Sequence, residues 1–386
     1  MQQTDSTKFN KVQITNIGGQ TLPVIQGILE FPCSLNILLH SNESAQAAKK
    51  IADLLDENCQ LTPINDANDF DGILTYIGNI VLDHDQAIFY VNVTGGTKIM
   101  TLALYTYFVN RSIKATIFHI DQNGMVHYLN EMKTEALKSI LPINQFIAFS
   151  GQKVKSKTRV EDIPIEFFEA KNQVKKIVTQ HFHEFKYLCD NYRKLGRKDT
   201  NLNDFELINP KSYSQVKWSN AEDELTLSLK KKYKFEYDEY TFTGHEYIGI
   251  VLETKWFELE MVEIFKKWDK TKELAWSVVV PYLEGSDKNE IDVVVNLGNK
   301  LLFVECKTQV AEIAHIDKFR NATKTYGGLG AKAILITWHE PNKRIIEKCN
   351  DNNIILFSFT NPDKSINNKH DLYKLLDREI SKSNTF

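Results

Sequence analysis

Hydrophobic and polar positions in the first 120 residues follow two alternating rhythms. SLNILLH (34–40), CQLTPI (59–64), QAIFYVNV (86–93) and SIKATIFHI (112–120) are short apolar or β-branched runs that predict strands. ESAQAAKKIADLLDEN (43–58) and KIMTLALYTYFVN (98–110) carry the three-to-four-residue spacing of helices. Strands alternating with helices predict βαβ units, and so an α/β domain over residues 1–150: a Rossmann-like parallel sheet with helices on both faces. Ligands of such sheets bind beyond the carboxyl ends of the strands. Two loops fall there, His40-Ser41-Asn42 and Thr94-Gly95-Gly96-Thr97.

The rhythm changes near the basic stretch GQKVKSKTR (151–159), where a domain boundary is expected. Residues 167–195 predict one long amphipathic connector helix, and 196–240 are polar and match neither template. Beyond them, ETKWFELEMVEIFKKW (253–268) predicts a helix. AWSVVVPYL (275–283), EIDVVVNLG (290–298) and KLLFVECKT (300–308) predict strands, followed by a helix near 311–326 and a strand KAILIT (332–337). Residues 151–386 are therefore read as the connector plus a second α/β domain with its core at about 245–360. No internal repeat is visible.

Composition narrows the function. The 386 residues are 42% hydrophobic and 25% charged with only 17 Gly and 9 Pro, which excludes a disordered or low-complexity chain. The net charge is −3, so any polyanion must meet a local site and not a basic coat. Residues 1–150 hold 9 Lys and Arg against 14 Asp and Glu, so an anion bound there would rely on backbone amides, hydroxyls and few lysines. Cys33, Cys59, Cys189, Cys306 and Cys349 are scattered and include no CxxC pair, which argues against a disulfide framework and a cysteine zinc site. The polar start MQQTDSTKFNK and the lack of a bilayer-length apolar run leave a cytoplasmic protein as the expectation.

Asn92-Val93-Thr94-Gly95-Gly96-Thr97-Lys98 ends a strand and opens a helix. Two glycines let a ligand approach the backbone, the helix start offers N–H groups and a positive dipole end, and Thr94, Thr97 and Lys98 add donors. The same residues also fit a plain βα turn with a threonine cap and a solvated lysine. The segment is neither GxxxxGK[ST] nor GxGxxG, which removes the main support for ATP hydrolysis or hydride transfer. With HSNES (40–44), NVTGGTK resembles the CARF domain of ancillary proteins from type III CRISPR systems. The resemblance implies a homodimeric sensor whose subunits together enclose one cyclic oligoadenylate, with cyclic tetra-adenylate the expected ring. It places Ser41 and Asn42 on one ligand loop and Thr94, Gly95, Gly96, Thr97 and Lys98 on the other.

In the second half, Asp292 is followed after twelve residues by Glu305-Cys306-Lys307. Strand alternation puts Glu305 and Lys307 on one face and Cys306 on the other, and a turn at Gly298-Asn299 would pair the two strands so that Asp292 meets Glu305. Asp292, Glu305 and the Cys306 backbone carbonyl then offer the oxygen donors that Mg²⁺ or Mn²⁺ prefers, with Lys307 free to orient water or stabilise developing charge. An ExK triplet alone is commonly a surface ion pair, but here it interrupts an apolar strand, where charges are costly without partners. This pattern resembles the PD-(D/E)xK nuclease superfamily. Trp256-Phe257-Glu258 is similar to the helix segment that supplies a further acid in CARF-linked endonucleases, with Glu260, one residue between them, a competitor. Asn289-Glu290-Ile291-Asp292 lacks the proline of the motif, and Gly327-Gly328-Leu329-Gly330 is similar to a turn of those endonucleases or is simply a helix C-cap.

Taken together, these patterns and resemblances imply a cyclic oligoadenylate-activated, metal-dependent endonuclease of type III CRISPR antiviral defence, acting on DNA, RNA or both, with no membrane partner. Two alternatives stay open: a ring nuclease that degrades the cyclic ligand, and a nucleotide-responsive regulator with an inert nuclease-like domain. Lys230, Lys231, Lys232 and Lys234 with Tyr233 and Phe235 fit either a nucleic-acid track or a solvated strand edge. His181 and His183 are wrongly spaced for a shared metal face.

Overall fold

The computed structural model describes residues 10–19, 21–55, 58–111, 113–195, 203–281, 288–308, 313–328, 330–360 and 367–381. The N-terminal sheet contains β1 (Lys11–Asn16), β2 (Leu35–His40), β3 (Cys59–Pro63), β4 (Ile88–Asn92), β5 (Ala115–Ile120), β6 (Met125–Tyr128) and β7 (Lys133–Ala136). Its order is β3-β2-β1-β4-β5-β6-β7. The first five are parallel, and β6 and β7 add as an antiparallel edge. The strand order reverses beside β1, so the crevice between the ends of β1 and β4 is the topological switch point where ligands settle in such sheets. Helices α1 (Thr21–Glu30) and α2 (Ala45–Leu55) cover one face, and α3 (Phe70–Asp83) and α4 (Lys98–Val109) the other.

β1 is the strand on which the sheet is centred, yet KVQITN is not an apolar run. Gln13, Thr15 and Asn16 are fully buried, because neighbouring strands pair on both edges and helices cover both faces. That burial overrides the hydropathy pattern, and neither β1 nor α1 is predicted from periodicity.

After α5 (Ile143–Phe149), the basic stretch at the expected domain boundary forms β8 (Ser156–Arg159), which pairs with the edge of the second domain's main sheet. Connector helix α6 (Ile165–Lys194) is broken at His181, whose φ of −127° and ψ of 33° leave the helical region. The buried His181 ring contacts the Lys230 carbonyl at 3.2 Å and the Asp238 carboxylate at 3.0 Å. The segment without a predicted pattern is an antiparallel meander: β9 (Phe205–Ile208), β10 (Gln215–Ser219), β11 (Glu224–Lys230) and β12 (Tyr237–Thr243). Its inner residues, Trp218, Leu225, Leu227 and Leu229 among them, pack against α6.

Then come α7 (Glu246–Val251), α8 (Lys255–Lys266), β13 (Glu273–Pro281), β14 (Lys288–Asn296), β15 (Leu301–Lys307), α9 (Ile313–Gly327), β16 (Lys332–Thr337), α10 (Lys343–Asp351), β17 (Ile354–Ser358) and α11 (Lys369–Ser381). The sheet order is β17-β16-β15-β14-β13-β8, with β15, β16 and β17 parallel and the rest antiparallel.

The two domains share a core. Val24, Ile25 and Ile28 of α1 and Ile51 of α2 belong to the same buried cluster as Phe146 and Ile147 of α5 and Val278, Val294, Phe303 and Phe319 of the second domain. The boundary predicted at residue 150 marks a change of sheet and not a gap in packing.

Candidate active site and ligand loops

α8 starts at Lys255, after Thr254 in the left-handed region (φ 72°). Trp256 and Phe257, each 1% exposed, pin the helix start against Trp338. Two acids follow on opposite sides, since two residues turn a helix by about 200°. Glu258 accepts the Trp276 indole N–H at 2.8 Å and lines a cleft with Asp292, Glu305 and Lys307. Glu260 faces α6, where its two oxygens take the ammonium groups of Lys171 (2.9 Å) and Lys175 (2.6 Å). The helix acid that shares a cleft with the strand residues is Glu258.

β14 and β15 pair antiparallel with Val293 opposite Val304, a register that sets Asp292 beside Glu305. On its other edge, β14 pairs with β13 at Trp276–Val293 and again at Val278–Ile291, but not at Asp292. Ser277, the residue skipped there, has φ 51°, so the sheet is locally parted where the aspartate projects. One Asp292 oxygen accepts the Cys306 backbone N–H at 2.7 Å, and Lys307 Nζ reaches Glu305 at 2.6 Å. The Cys306 side chain lies on the opposite face, in the core beneath α6 and α8.

Burial raises the Glu258 carboxyl to about 7 against the pull of the Trp276 hydrogen bond. Burial, then the nearby Glu305 and Glu258 carboxylates, push Asp292 well above the usual carboxylate range. Burial alone would lower the Lys307 ammonium, but Glu305 and Asp292 outweigh it and raise the lysine. Three carboxylates crowd one ammonium, an excess of negative charge that either a proton or a divalent cation would relieve. Oxygen-only donors suit Mg²⁺ or Mn²⁺. Among the described residues no three His, Cys, Asp or Glu groups are arranged to hold an ion by themselves, so a cation here would need the Cys306 carbonyl, water or substrate as well.

The cleft, about 340 Å³, also includes residues the motif does not name: Glu253 and Lys255 at the start of α8, Glu290 on β14, and His315 and Lys318 on α9. Glu290 sits two positions before Asp292, so strand alternation alone puts it on the same face. Of the glycine turn after α9, Gly327 packs where a Cβ would strike Phe303 and Ala331, and Gly328 has φ 66°, the geometry of a helix C-cap; Leu329 lies outside the described residues.

At the other end of the chain, the loops after β1, β2 and β4 meet at the switch point. Gly96 and Lys98 are the exposed members of the β4 loop, and Asn42 is exposed on the β2 loop. The threonines serve the fold. Thr97 Oγ1 donates to the Ala67 carbonyl (2.9 Å) while accepting the Met100 N–H (3.1 Å), and Thr94 Oγ1 accepts the Ile120 N–H at 2.9 Å. Ser41 Oγ donates to Glu43 at 2.6 Å. The glycines also have an internal reason: a Cβ on Gly95 would lie 2.4 Å from the Asn16 carbonyl, and Gly96, at φ 80°, would meet the Asn16 side chain at 2.9 Å. These contacts bring in the β1 loop, which sequence reasoning missed although Gly18-Gly19 mark it. A Cβ on Gly18 would come within 2.6 Å of the Gly96 nitrogen. Asn16, fully buried there, has no partner for either side-chain polar atom among the described residues.

Residues 12–146, the whole of this α/β unit, match the Card1 CARF domain family. The N-terminal domain is a CARF domain. Beyond it, the fold of the full chain is that of solved proteins. Can2 from Sulfobacillus thermosulfidooxidans in complex with cyclic tetra-adenylate superposes with a TM-score of 0.64 at 17% identity, over 96% of this chain and 100% of that one. VC1899 from Vibrio cholerae gives 0.67 at 13%, over 96% and 97%. A type III CRISPR defence DNA nuclease activated by cyclic oligoadenylate gives 0.57 at 12%; 96% of this chain is covered but only 52% of that one, so the present chain spans about half its length. No curated protein matches the chain. The CARF domain therefore precedes a second α/β domain, an arrangement shared by Can2 and VC1899.

Proposed function

We propose that the chain is a metal-dependent endonuclease switched on by a cyclic oligoadenylate, within type III CRISPR defence. The supporting observation is the cleft that unites Glu258 of α8, Asp292 of β14 and Glu305 and Lys307 of β15. A Mg²⁺ or Mn²⁺ held by Asp292, Glu305 and the Cys306 carbonyl would polarise a phosphodiester and acidify bound water. Within that arrangement, Lys307 carries positive charge held in place by Glu305, positioned to orient the attacking water and to stabilise charge developing on the phosphate oxygens. Glu258, fixed by Trp276 and with its carboxyl raised to about 7, is suited to hold or release a proton near neutrality.

For the CARF domain, the ligand would lie over the ends of β1, β2 and β4. Ser41, Asn42, Gly95, Gly96 and Lys98 would face it, with Thr94 and Thr97 shaping the loop. Two of the solved relatives support this reading: one holds cyclic tetra-adenylate and another is activated by cyclic oligoadenylate. A homodimer is supported by α4, whose start carries the ligand loop and whose outer stripe leaves Leu102 (52%) and Val109 (47%) exposed. Such apolar residues on a helix favour a second subunit.

The deciding experiment incubates the protein with cyclic oligoadenylates of several ring sizes, Mg²⁺ or Mn²⁺, and plasmid, single-stranded DNA and RNA. Ligand- and metal-dependent strand cleavage, lost in Glu305→Ala, is the expected result. Absence of cleavage with every combination would overturn the proposal, and consumption of the cyclic ligand by Glu305→Ala would favour a ring nuclease.

A further inference from the structure

The cleft contains five acids, Glu253, Glu258, Glu290, Asp292 and Glu305, and an anionic substrate entering it needs cations that the ExK motif alone does not supply. Lys307 is already committed to Glu305. The remaining bases come from the two helices that wall the cleft: Lys255 at the start of α8, and His315 and Lys318 on α9.

The distribution of charge on α9 is uneven. Its inner face, Ile316, Phe319, Ala322 and Tyr326, is buried and fixes the helix. Asp317, between the two bases in sequence, turns away and pairs with Lys348 of α10 at 2.8 Å. His315 and Lys318, three apart and so on one side of the helix, are both exposed and both line the cleft. Neither Lys318 nor Lys255 pairs with a carboxylate among the described residues, although acids line the same cleft.

We infer that His315 and Lys318, with Lys255 opposite, form a phosphate clamp that positions a nucleic-acid backbone across the carboxylate cluster. The inference rests on the nuclease reading and deepens it by naming what the site reads: backbone phosphates and not base edges, so that cleavage is insensitive to sequence. These are positioning residues, acting on the phosphates that flank the scissile one.

The test measures binding of fluorescent DNA and RNA oligonucleotides of mixed sequence, metal-free and with cyclic tetra-adenylate present, over a salt series. Lys318→Ala is expected to weaken binding about tenfold at low salt. It should also flatten the plot of log affinity against log salt by nearly one, the signature of one lost phosphate contact. Lys318→Arg should restore both, and His315→Ala should also weaken binding at low salt. In cleavage assays the loss should fall on KM, with kcat at saturating substrate within about twofold. An unchanged salt slope, or a loss confined to kcat, overturns the clamp while leaving the nuclease reading intact. A wild-type protein that binds and cleaves no nucleic acid overturns the nuclease reading, and the clamp with it.

Discussion

In the proposed function, a ligand on the CARF domain acts on a cleft in another sheet, and the β14–β15 hairpin offers the route. The strands that carry Asp292 and Glu305 are joined by a turn that is anchored on the CARF domain. Gln26 of α1 donates to the Gly298 carbonyl at 2.8 Å, and Asn299 donates to the Gln122 carbonyl in the β5–β6 turn at 2.9 Å. Helix α1 is tied in turn to the ligand crevice, because the Asn92 side chain at the end of β4 donates to the Val24 carbonyl at 3.1 Å. A rearrangement of the glycine loop is thus connected through α1 to the hairpin. Each neutral hydrogen bond is worth about 1 kcal/mol net, so Gln26→Ala with Asn299→Ala removes about 2 kcal/mol of possible coupling, or about thirtyfold. The expected outcome is a ratio of ligand-stimulated to basal cleavage that falls by up to that factor. Ligand affinity, titrated calorimetrically without substrate, should stay within about threefold. Basal cleavage and the melting curve of the double variant serve as controls for a collapsed turn. Full stimulation in a folded double variant would refute the route.

Other expectations follow from the same geometry. Asp292→Ala, Glu305→Ala and Lys307→Ala should each lower the cleavage rate by about a hundredfold or more while ligand binding persists, as calorimetry would show; wild-type rates would remove the site assignment. Lys98→Ala should weaken cyclic oligoadenylate binding several-fold without loss of stability, whereas Thr97→Ala, which deletes a helix cap, should cost about 1 kcal/mol in denaturant unfolding. Lys171, 1% exposed between Glu260 and Glu263, joins α6 to α8, so Lys171→Met should destabilise by about 2 kcal/mol because two carboxylates lose a partner. The Lys171 and Lys267 ammonium groups hold Glu263 at about 2, below its ordinary 4.5. Its folded-state value is depressed, so its contribution is present above pH 4.5 and is lost as pH falls toward 2; acid unfolding of Lys171→Met should lose part of that dependence.

Much of the candidate cleft is legible in the sequence because it depends on local regularities. The two-residue period places Glu305 with Lys307, and a short hairpin turn brings Asp292 to them. What periodicity cannot give is which side of a helix faces the site when two acids are two residues apart: Glu258 and Glu260 were separated only by Lys171 and Lys175, which are distant in sequence. β11 was missed although ELTLSLK alternates strictly, with Leu225, Leu227 and Leu229 inward, because its polar surroundings masked seven well-patterned residues. β1 was hidden for a different reason. Its buried Gln13, Thr15 and Asn16 are polar, and only the three-dimensional neighbours explain their burial.

The candidate ligand loops show how one residue pattern could satisfy two demands. In the sequence, Gly95, Gly96 and Thr97 fit both a phosphate's approach and a plain capped turn, and the structure gives each an internal duty: two glycines that admit the β1 loop, and a threonine that caps α4. These duties are compatible with sensing, since a tightly packed loop transmits displacement where a loose one would absorb it. They also decide which substitution is informative. Gly96→Glu would add strain at φ 80° and a clash with Asn16, so lost activation in that variant would report damage as readily as lost binding. Lys98 is exposed, lies just inside the start of α4, and forms none of the loop's internal hydrogen bonds described above, so its removal tests the ligand contact itself. A Lys98→Ala protein that melts as wild type does, yet needs several-fold more cyclic oligoadenylate for half-maximal cleavage, would separate the sensing role from the structural one; unchanged ligand dependence would remove Lys98 from the binding site.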